Sequence, residues 1–310
     1  MTSTAIAVSG LRKAFKDKVV LDGIDLEVPA GTIFSLLGPN GAGKTTTVHL
    51  LTTLMQADGG TATVAGYDVA ADARAVRAAI GVTGQFAAVD ELLTGEENLQ
   101  LMVDLTRSAD ASMVAALLER FELTESARKP ASTYSGGMRR KLDLAMTLVG
   151  NPQIIFLDEP TTGLDPRSRR TMWTIIRELV ADGVTVFLTT QYLEEADQLA
   201  DRIAVLDQGR IVAQGTPDEL KRQLPGTHVR LRFGTVAELE SAAGLFPDAT
   251  RDDETLTLRV PSDGGTKSLR GVLDRLDEYA LSAEEFSVHT PDLDDVFLAL
   301  TGHTTEVVAS

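Results

Sequence analysis

The sequence predicts an α/β protein with a small antiparallel layer before the main sheet and a second, smaller α/β domain at the carboxyl end. Largely apolar runs at 33–37, 154–157 and 184–190 have the length and bulk of buried strands. A segment with helical spacing or a helix-capping pattern follows each of them. Residues 24–28 alternate apolar and acidic side chains, as a strand with one buried face does. Strands that alternate with helices in this way are typical of the α/β class.

The chain of 310 residues is long enough for two domains, because one hydrophobic core rarely grows beyond about 250 to 300 residues. Its formal net charge of -16 repels the phosphates of nucleic acids and of anionic lipids, so we expect no nucleic acid partner. The absence of cysteine excludes disulfides and thiolate chemistry. No apolar stretch approaches the roughly 18 residues of a membrane span, and the first residues lack the basic start of a secretion signal. We therefore expect a cytosolic chain whose membrane attachment runs through a protein partner.

A glycine-rich loop lies between the first buried strand and the helix that begins near Lys44. Residues 38–45 fit the pattern G-x-x-x-x-G-K-[ST] at each fixed position. Glycines let successive backbone N–H groups point into one concavity, the lysine reaches the terminal phosphates, and the Thr45 hydroxyl ligates magnesium. The alternative, a glycine-rich turn without a ligand, is disfavoured because the whole pattern and its flanks agree. The nucleotide-binding residues predicted in this segment are Gly38, Pro39, Asn40, Gly41, Ala42, Gly43, Lys44, Thr45 and Thr46.

A second helix start has the features of an anion site. Ser135, Gly136 and Gly137 stand just before a helical pattern that runs to Leu148. The N–H groups and the dipole of a helix N-terminus attract phosphate by the same physics as the first loop. Taken alone, a glycine-rich N-cap without a ligand is the simpler explanation of these residues. Beside the phosphate loop they give one chain two half-sites for phosphate.

Two adjacent acids, Asp158 and Glu159, end the buried strand at 154–157. A strand that delivers Asp158 beside Lys44 and Thr45 provides the oxygen ligands that magnesium needs. Glu159 is placed to orient or deprotonate an attacking water. Paired acids after a strand are often only a solvated turn, and the neighbouring phosphate loop makes that alternative the weaker one.

Four single residues are weaker candidates. Phe15 either lays its ring on a nucleobase or fills the core as a strand aromatic, and the sequence does not decide between the two. Gln85 follows a short strand, where its amide reaches a magnesium-bound water or a terminal phosphate. Asp165 precedes Pro166 and starts a helix, so capping alone explains it. Gln191 ends the strand at 184–190.

Local signals predict three further features. Asp22-Gly23 predicts a turn within the antiparallel layer. Thr94 and Glu97 have the spacing of a capping box, so helices are expected through 94–128. Residues 203–212 are typical of a hairpin, which closes the first domain.

The remainder of the chain has its own organisation. Residues 228–233 and 255–260 alternate as strands, and 267–279 has helical spacing, so a small α/β accessory domain is expected. Its acids at 252–254 and 292–295 fit either a calcium site or a solvated face. The solvated face is favoured because no loop-ligand spacing is met.

The order and spacing of these parts resemble the nucleotide-binding subunit of ATP-binding cassette (ABC) transporters. The resemblance covers about residues 5–222 and rests on several motifs together: the phosphate loop, Gln85, Ser135-Gly136-Gly137, Asp158-Glu159 and Leu164-Asp165. The segments at 134–141, 191–197 and 293–303 are most similar to the daunorubicin/doxorubicin resistance branch of bacterial exporters.

The resemblance implies a P-loop NTPase core of the ABC type at 1–222, with an antiparallel β layer and a helical subdomain at about 86–150, followed by an accessory domain at 223–310. It also implies a role for Gln85 in linking the site to the helical subdomain, a place for Asp165 at a dimer seam, and dimer or partner contacts for the terminal segment. The implied ligands are ATP and Mg2+, with Thr45, Gln85 and Asp158 as metal ligands.

The two phosphate half-sites cannot both bind one nucleotide within a single chain if Ser135 lies on the helical subdomain, away from the phosphate loop. We therefore expect two copies to sandwich ATP head to tail in a closed pair. A separate integral membrane permease must then form the pore, with this chain on the cytoplasmic face of the plasma membrane. During hydrolysis, Lys44 would stabilise the charge that develops on the phosphate, and Glu159 would orient or deprotonate the attacking water.

Two positions depart from the family pattern. Met138 stands where most members have glutamine, and Gln191 stands where the family has a switch histidine. An amide donates to a terminal phosphate but carries no positive charge. Our hypothesis is that Gln191 keeps the positioning role and that Glu159 is the main catalytic acid.

The function expected from these residues and from the resemblance is that of the ATPase subunit of a bacterial exporter of a drug such as an anthracycline. A nucleotide-gated regulator or a soluble ABC ATPase without a transported substrate is the alternative. The absent histidine motivates the first of these alternatives, and the acidic balance argues against action on nucleic acid.

Overall fold

The computed structural model describes residues 3–84, 88–106, 112–222, 227–263, 265–289 and 292–302. The internal contacts divide the chain into two compact units, Met1–Pro217 and Asp218–Ser310. Across the described ranges, no helix combines the length and the apolar character that crossing a membrane requires.

An antiparallel sheet of four strands begins the first unit, in the order β2-β1-β4-β5. Its strands are β1 (Thr4–Phe15), β2 (Lys18–Pro29), β4 (Gly59–Val64) and β5 (Tyr67–Asp68). The predicted turn at Asp22-Gly23 is wrong, because both residues lie within β2. Leu11 pairs with Ile24 and Arg12 pairs with Asp22, so Gly23 is an extra residue with a φ of 76°. The glycine therefore makes a bulge, and the chain reverses at Lys16–Asp17 instead.

The central sheet of the first unit has six strands in the order β10-β9-β3-β8-β7-β6. The strands are β3 (Ile33–Leu37), β6 (Ile80–Thr83), β7 (Ile154–Asp158), β8 (Thr185–Thr190), β9 (Arg202–Asp207) and β10 (Arg210–Gly215). All neighbours are parallel except β9 and β10, which form the predicted hairpin. Phe187 lies between Phe34 and Phe156, with ring centroids 5.5 and 5.4 Å away. Because its strands are buried on both faces, this sheet is a rigid base for the loops at its edge.

Helices cover the central sheet and form the region between β6 and β7. They are α1 (Lys44–Leu51), α2 (Ala73–Ala79), α3 (Gly95–Thr106), α4 (Met113–Arg120), α5 (Gly136–Leu148), α6 (Pro166–Ala181) and α7 (Leu193–Leu199). Two short 3-10 turns, Thr124–Ser126 and Ala131–Thr133, lie between α4 and α5. The capping box before α3 is confirmed, because Thr94 and Glu97 bond reciprocally through side chain and backbone.

The second unit has an antiparallel sheet in the order β12-β13-β11-β14 with helices of its own. Its elements are α8 (Pro217–Arg222, of which the first residue belongs to the first unit), β11 (His228–Arg232), α9 (Val236–Leu245), β12 (Thr250–Asp252), β13 (Thr257–Pro261), α10 (Thr266–Glu278), β14 (Glu285–His289) and α11 (Leu293–Thr301). Its core gathers apolar residues from β11, β13, α9 and α10. Asp292 and Asp295 form a capping box that starts α11. The predicted α/β class is thus confirmed in both units.

Candidate nucleotide-binding site

The phosphate loop joins β3 to α1, and two of its glycines are required by the packing around them. A Cβ atom on Gly38 would lie 2.2 Å from the backbone oxygen of Leu206 in β9. Gly43 has a φ of 113°, and a Cβ atom there would lie 2.7 Å from the side chain of Leu21. The pattern of the loop therefore reflects close backbone packing, while its tip at Asn40 and Gly41 is exposed.

Lys44 is buried beneath this loop, with 5% of its surface exposed. Its Nζ donates to the carbonyl oxygens of Gly38 at 2.8 Å and Pro39 at 3.1 Å, and it lies 3.4 Å from Oε1 of Glu159. Burial lowers the pKa of Lys44, and the charges of Glu159 and Asp158 oppose that shift. The side chain is a buried cation held between loop carbonyls and two acids, at the place where phosphate charge would be balanced.

Asp158 and Glu159 lie at the carboxyl end of β7, beside the neighbouring strand β8. Asp158 is 4% exposed, and its Oδ1 accepts a hydrogen bond from the hydroxyl of Thr189, the residue opposite it. Glu159 leaves the strand with a φ of 50°, and its N–H donates to the carbonyl oxygen of Thr189 at 3.1 Å. Oε2 of Glu159 accepts from the hydroxyl of Thr162 at 3.3 Å. The two carboxylates are thus held by fixed bonds next to Lys44.

The second predicted half-site lies at the start of α5. Ser135 is the N-cap, and its hydroxyl accepts from the N–H of Met138 at 3.2 Å. Ser135 and Gly136 are exposed, whereas a Cβ atom on Gly137 would lie 2.8 Å from the hydroxyl oxygen of Ser168. Within the described residues, no hydrogen bond joins this helix start to the phosphate loop.

Asp165 is the N-cap of α6, as its position before Pro166 predicts. Its carboxylate accepts from the N–H groups of Arg167 at 2.9 Å and Ser168 at 3.0 Å, and from the Ser168 hydroxyl. These hydrogen bonds, that of the Ser168 hydroxyl foremost, lower the pKa of Asp165. Capping is confirmed, and the place of this exposed residue at a dimer seam stays a prediction.

Three predicted site residues remain: Phe15, Gln191 and Gln85. Phe15 is 45% exposed with the ammonium of Lys13 5.6 Å from its ring centre, so the core alternative is wrong and the nucleobase contact stays a prediction. Gln191 is partly exposed just after β8, two residues beyond Thr189. Gln85 lies outside the described residues.

A buried carboxyl group near the site, that of Glu195 in α7, was not predicted from the sequence. It is fully buried, and Oε1 accepts from the hydroxyl of Thr161 at 2.8 Å and from Nε1 of Trp173 at 3.2 Å. Burial raises the pKa of Glu195. The available signal was its helical spacing of four from Leu199, which places it on the apolar face of α7.

The geometry defines the class of protein: a glycine loop packed over a buried lysine, beside two acids at the end of the neighbouring strand, is a P-loop nucleotide-binding site. Comparison with known families agrees. The family model of ABC transporters matches residues 21–162, and that of the C-terminal domain of DrrA1-3-like ATP-binding proteins matches residues 215–301.

Relatives extend over nearly the full length of the chain. A daunorubicin resistance ATP-binding protein of Streptomyces coeruleorubidus is 49% identical over 97% of this chain and 97% of its own length. The daunorubicin/doxorubicin resistance ATP-binding protein of Streptomyces peucetius is 48% identical over 96% of this chain and 93% of its own length. A Nod factor export ATP-binding protein of Ralstonia nicotianae is 38% identical over 96% and 94% of the two chains.

Solved structures resemble 70% to 71% of the chain. An ATP-binding subunit of an ABC transporter has a TM-score of 0.64 and 28% identity, covering 71% of this chain and 92% of that one. The ADP conformation of another ABC cassette has a TM-score of 0.64 and 26% identity, covering 70% and 93%. This chain therefore belongs to the ABC transporter ATP-binding subunits, in the family of daunorubicin/doxorubicin resistance ATP-binding proteins. It is an ATP-binding, ATP-hydrolysing transporter subunit, as predicted.

Proposed function

We propose that this chain drives export of an amphipathic drug of the anthracycline class through a separate membrane subunit, on the cytoplasmic face of the plasma membrane. The names of the resistance proteins at 48% and 49% identity support the cargo class, and the Nod factor export relative supports export. The observation that carries the proposal is the 3.4 Å contact of buried Lys44 with Glu159, beside Asp158.

The chemistry at this site follows from the side chains that meet there. Lys44, held at the loop, would balance the charge that develops on the transferred phosphoryl group. Glu159 would orient and deprotonate the attacking water, since its carboxylate lies 3.4 Å from the lysine that would bind the phosphates. Gln191, just beyond Thr189 at the end of the adjacent strand, would position the terminal phosphate through its amide.

Magnesium fits the donors present. The exposed hydroxyl of Thr45 and the strand-end carboxylate of Asp158 are oxygen ligands, the class that Mg2+ takes, and Gln85 is the third proposed ligand. Among the described residues, no group of three or more His, Cys, Asp or Glu side chains is arranged to hold a metal, and a Mg2+ ion held largely by phosphates and water needs none. When bound, it would neutralise charge between the outer phosphates.

Two copies of the chain would complete the site. Ser135, Gly136 and Asp165 are exposed, and Ser135 is bonded within its own helix, so these groups remain accessible to a nucleotide held by a second chain. We expect the closed form to be a head-to-tail pair that traps two ATP molecules, which is a two-fold arrangement with the same surfaces on both sides. Hydrolysis would reopen the pair and pass motion to the membrane subunit.

The test is steady-state ATP turnover of the purified chain with Mg2+. Glu159→Gln should lower turnover about 100-fold or more, because a general base contributes roughly 10²–10⁴ to rate. Gln191→Ala should keep turnover near the wild-type value, because Glu159 carries the proton transfer. The reverse pattern would overturn the assignment of roles. Doxorubicin uptake into inverted vesicles that contain the chain and its membrane subunit then tests the cargo, and ATP turnover without uptake would reject it.

A further inference from the structure

A buried arginine connects the start of α5 to the catalytic end of β7. Arg140 lies five residues after Ser135 in the chain and is only 8% exposed. We infer that Arg140 is a positioning residue that fixes the backbone of Glu159 for catalysis. This inference rests on the proposed role of Glu159 in hydrolysis.

The first set of contacts surrounds Glu159. The guanidinium of Arg140 donates to three consecutive carbonyl oxygens, those of Asp158 at 3.1 Å, Glu159 at 3.2 Å and Pro160 at 3.0 Å. Glu159 has a φ of 50°, a left-handed backbone that is costly for a residue with a long side chain. The arginine fork compensates this turn with charge-assisted hydrogen bonds, so the carboxylate leaves the strand in one fixed direction, toward Lys44.

A second set of contacts holds the guanidinium of Arg140 in place. Nη1 of Arg140 donates to the carbonyl oxygen of Gly84 at 2.7 Å. Oδ1 of Asp143, one turn further along α5, accepts from the N–H of Ala88 at 2.9 Å. Arg140 and Asp143 are themselves 3.5 Å apart. The bond to Gly84 and the contact with Asp143 therefore fix the orientation in which the guanidinium reaches the backbone of Glu159.

These contacts couple the position of α5 to the backbone of Glu159. A shift of the helix that begins at Ser135 would move the Arg140 guanidinium, and with it the backbone of Glu159. Lysine cannot replace the arginine fully, because one ammonium has three donors on a flexible stem whereas the guanidinium has five in a fixed fork. The inference thus predicts loss of catalysis rather than loss of nucleotide affinity.

The experiment compares Arg140→Met, Arg140→Lys and the control Arg139→Met in the full chain. Arg139 is the adjacent arginine of the same helix, and it pairs at the surface with Glu91 at 2.7 Å. Arg140→Met should lower kcat about tenfold or more while the KM for ATP and the affinity for ADP change less than about twofold. Arg140→Lys should recover part of kcat, and Arg139→Met should match the wild type.

A double variant separates positioning from general damage. If Arg140 acts through Glu159, then adding Arg140→Met to Glu159→Gln should lower the residual single-turnover rate by no more than about twofold, because residues that act as a unit are not additive. Should Arg140→Met fail to fold, Arg140→Lys carries the same comparison. A full additional loss in the double variant, a raised KM with normal kcat, or an equal loss in Arg139→Met would overturn the inference.

Failure of the proposed function has a different signature. It would appear as a Glu159→Gln variant that turns over ATP like the wild type. That result also rejects the inference, since Arg140 would then have no catalytic glutamate to hold.

Discussion

Substitution of Glu195 by glutamine should change how the stability of the first unit depends on pH. The carboxyl group of Glu195 is fully buried, and its Oε1 accepts hydrogen bonds from Thr161 and Trp173. Burial raises the pKa of Glu195 above its ordinary value of 4.5. The folded chain therefore keeps a proton on this group at pH values where the unfolded chain has released it.

The size of the effect follows from proton linkage. The stabilising proton is present in full below pH 4.5, and its contribution falls as the pH rises toward the pKa of the folded chain. One proton corresponds to a slope of at most about 1.4 kcal/mol per pH unit. As the pH rises above 4.5, Glu195→Gln should therefore gain free energy of unfolding relative to the wild type, at no more than this slope. Asp143, whose pKa is also raised by burial, is present in both proteins and cancels in the difference.

The assay is urea unfolding followed by the fluorescence of Trp173, the single tryptophan of the chain. Because Trp173 lies in the first unit and is 6% exposed, its emission reports the unfolding of that unit. Glu194→Gln is the matched control, since Glu194 is a neighbouring glutamate whose side chain is 68% exposed. A difference in free energy of unfolding between Glu195→Gln and the wild type that stays constant from pH 4.5 to pH 8 would contradict this prediction.

Two substitutions test the packing. Phe187→Ala should destabilise the first unit by about 3–5 kcal/mol in the same urea assay, since it empties the space between the rings of Phe34 and Phe156. Leu105→Ala, at a 69% exposed position, should cost under about 0.5 kcal/mol. Gly95→Ala would place a Cβ atom 2.2 Å from the hydroxyl oxygen of Tyr134. Its cost should therefore fall by about 1 kcal/mol or more in a Tyr134→Phe background, and equal costs in both backgrounds would contradict the contact.

The buried strands and the phosphate loop could be predicted because their signals are local. All five residues of β3 and all five of β7 are buried, so a largely apolar run was sufficient evidence for each strand. The glycines at 38 and 43 are fixed by backbone crowding and by a positive φ, which translate directly into residue type.

Other features depend on partners distant in the sequence. Asp22-Gly23 supplies a positive φ that suits a turn or a bulge equally, and only the pairing with β1 decides between them. Arg140 and Glu195 are charged residues whose burial depends on acceptors and donors 18 to 56 residues away along the chain. No local pattern of polarity reports such partners.

In the second unit, some elements could not be predicted from the sequence because their pattern of polarity is weak. Strict alternation revealed β11 and β13, but α9 buries only Leu239 and Ala242, and β14 has mostly exposed residues. Weakly amphipathic elements at the edge of a small sheet give too little contrast for a sequence pattern to mark them.

The left-handed backbone of Glu159 has a consequence for redesign of proteins of this kind. Asparagine or glycine would relax a φ of 50°, and a procedure that scores local conformational preference would select either one. Both replacements would remove the carboxylate that contacts Lys44, so a gain in thermostability at this position would be accompanied by a loss of ATPase activity. Consensus or propensity-guided stabilisation should leave this strand end unchanged and work on the surface helices instead.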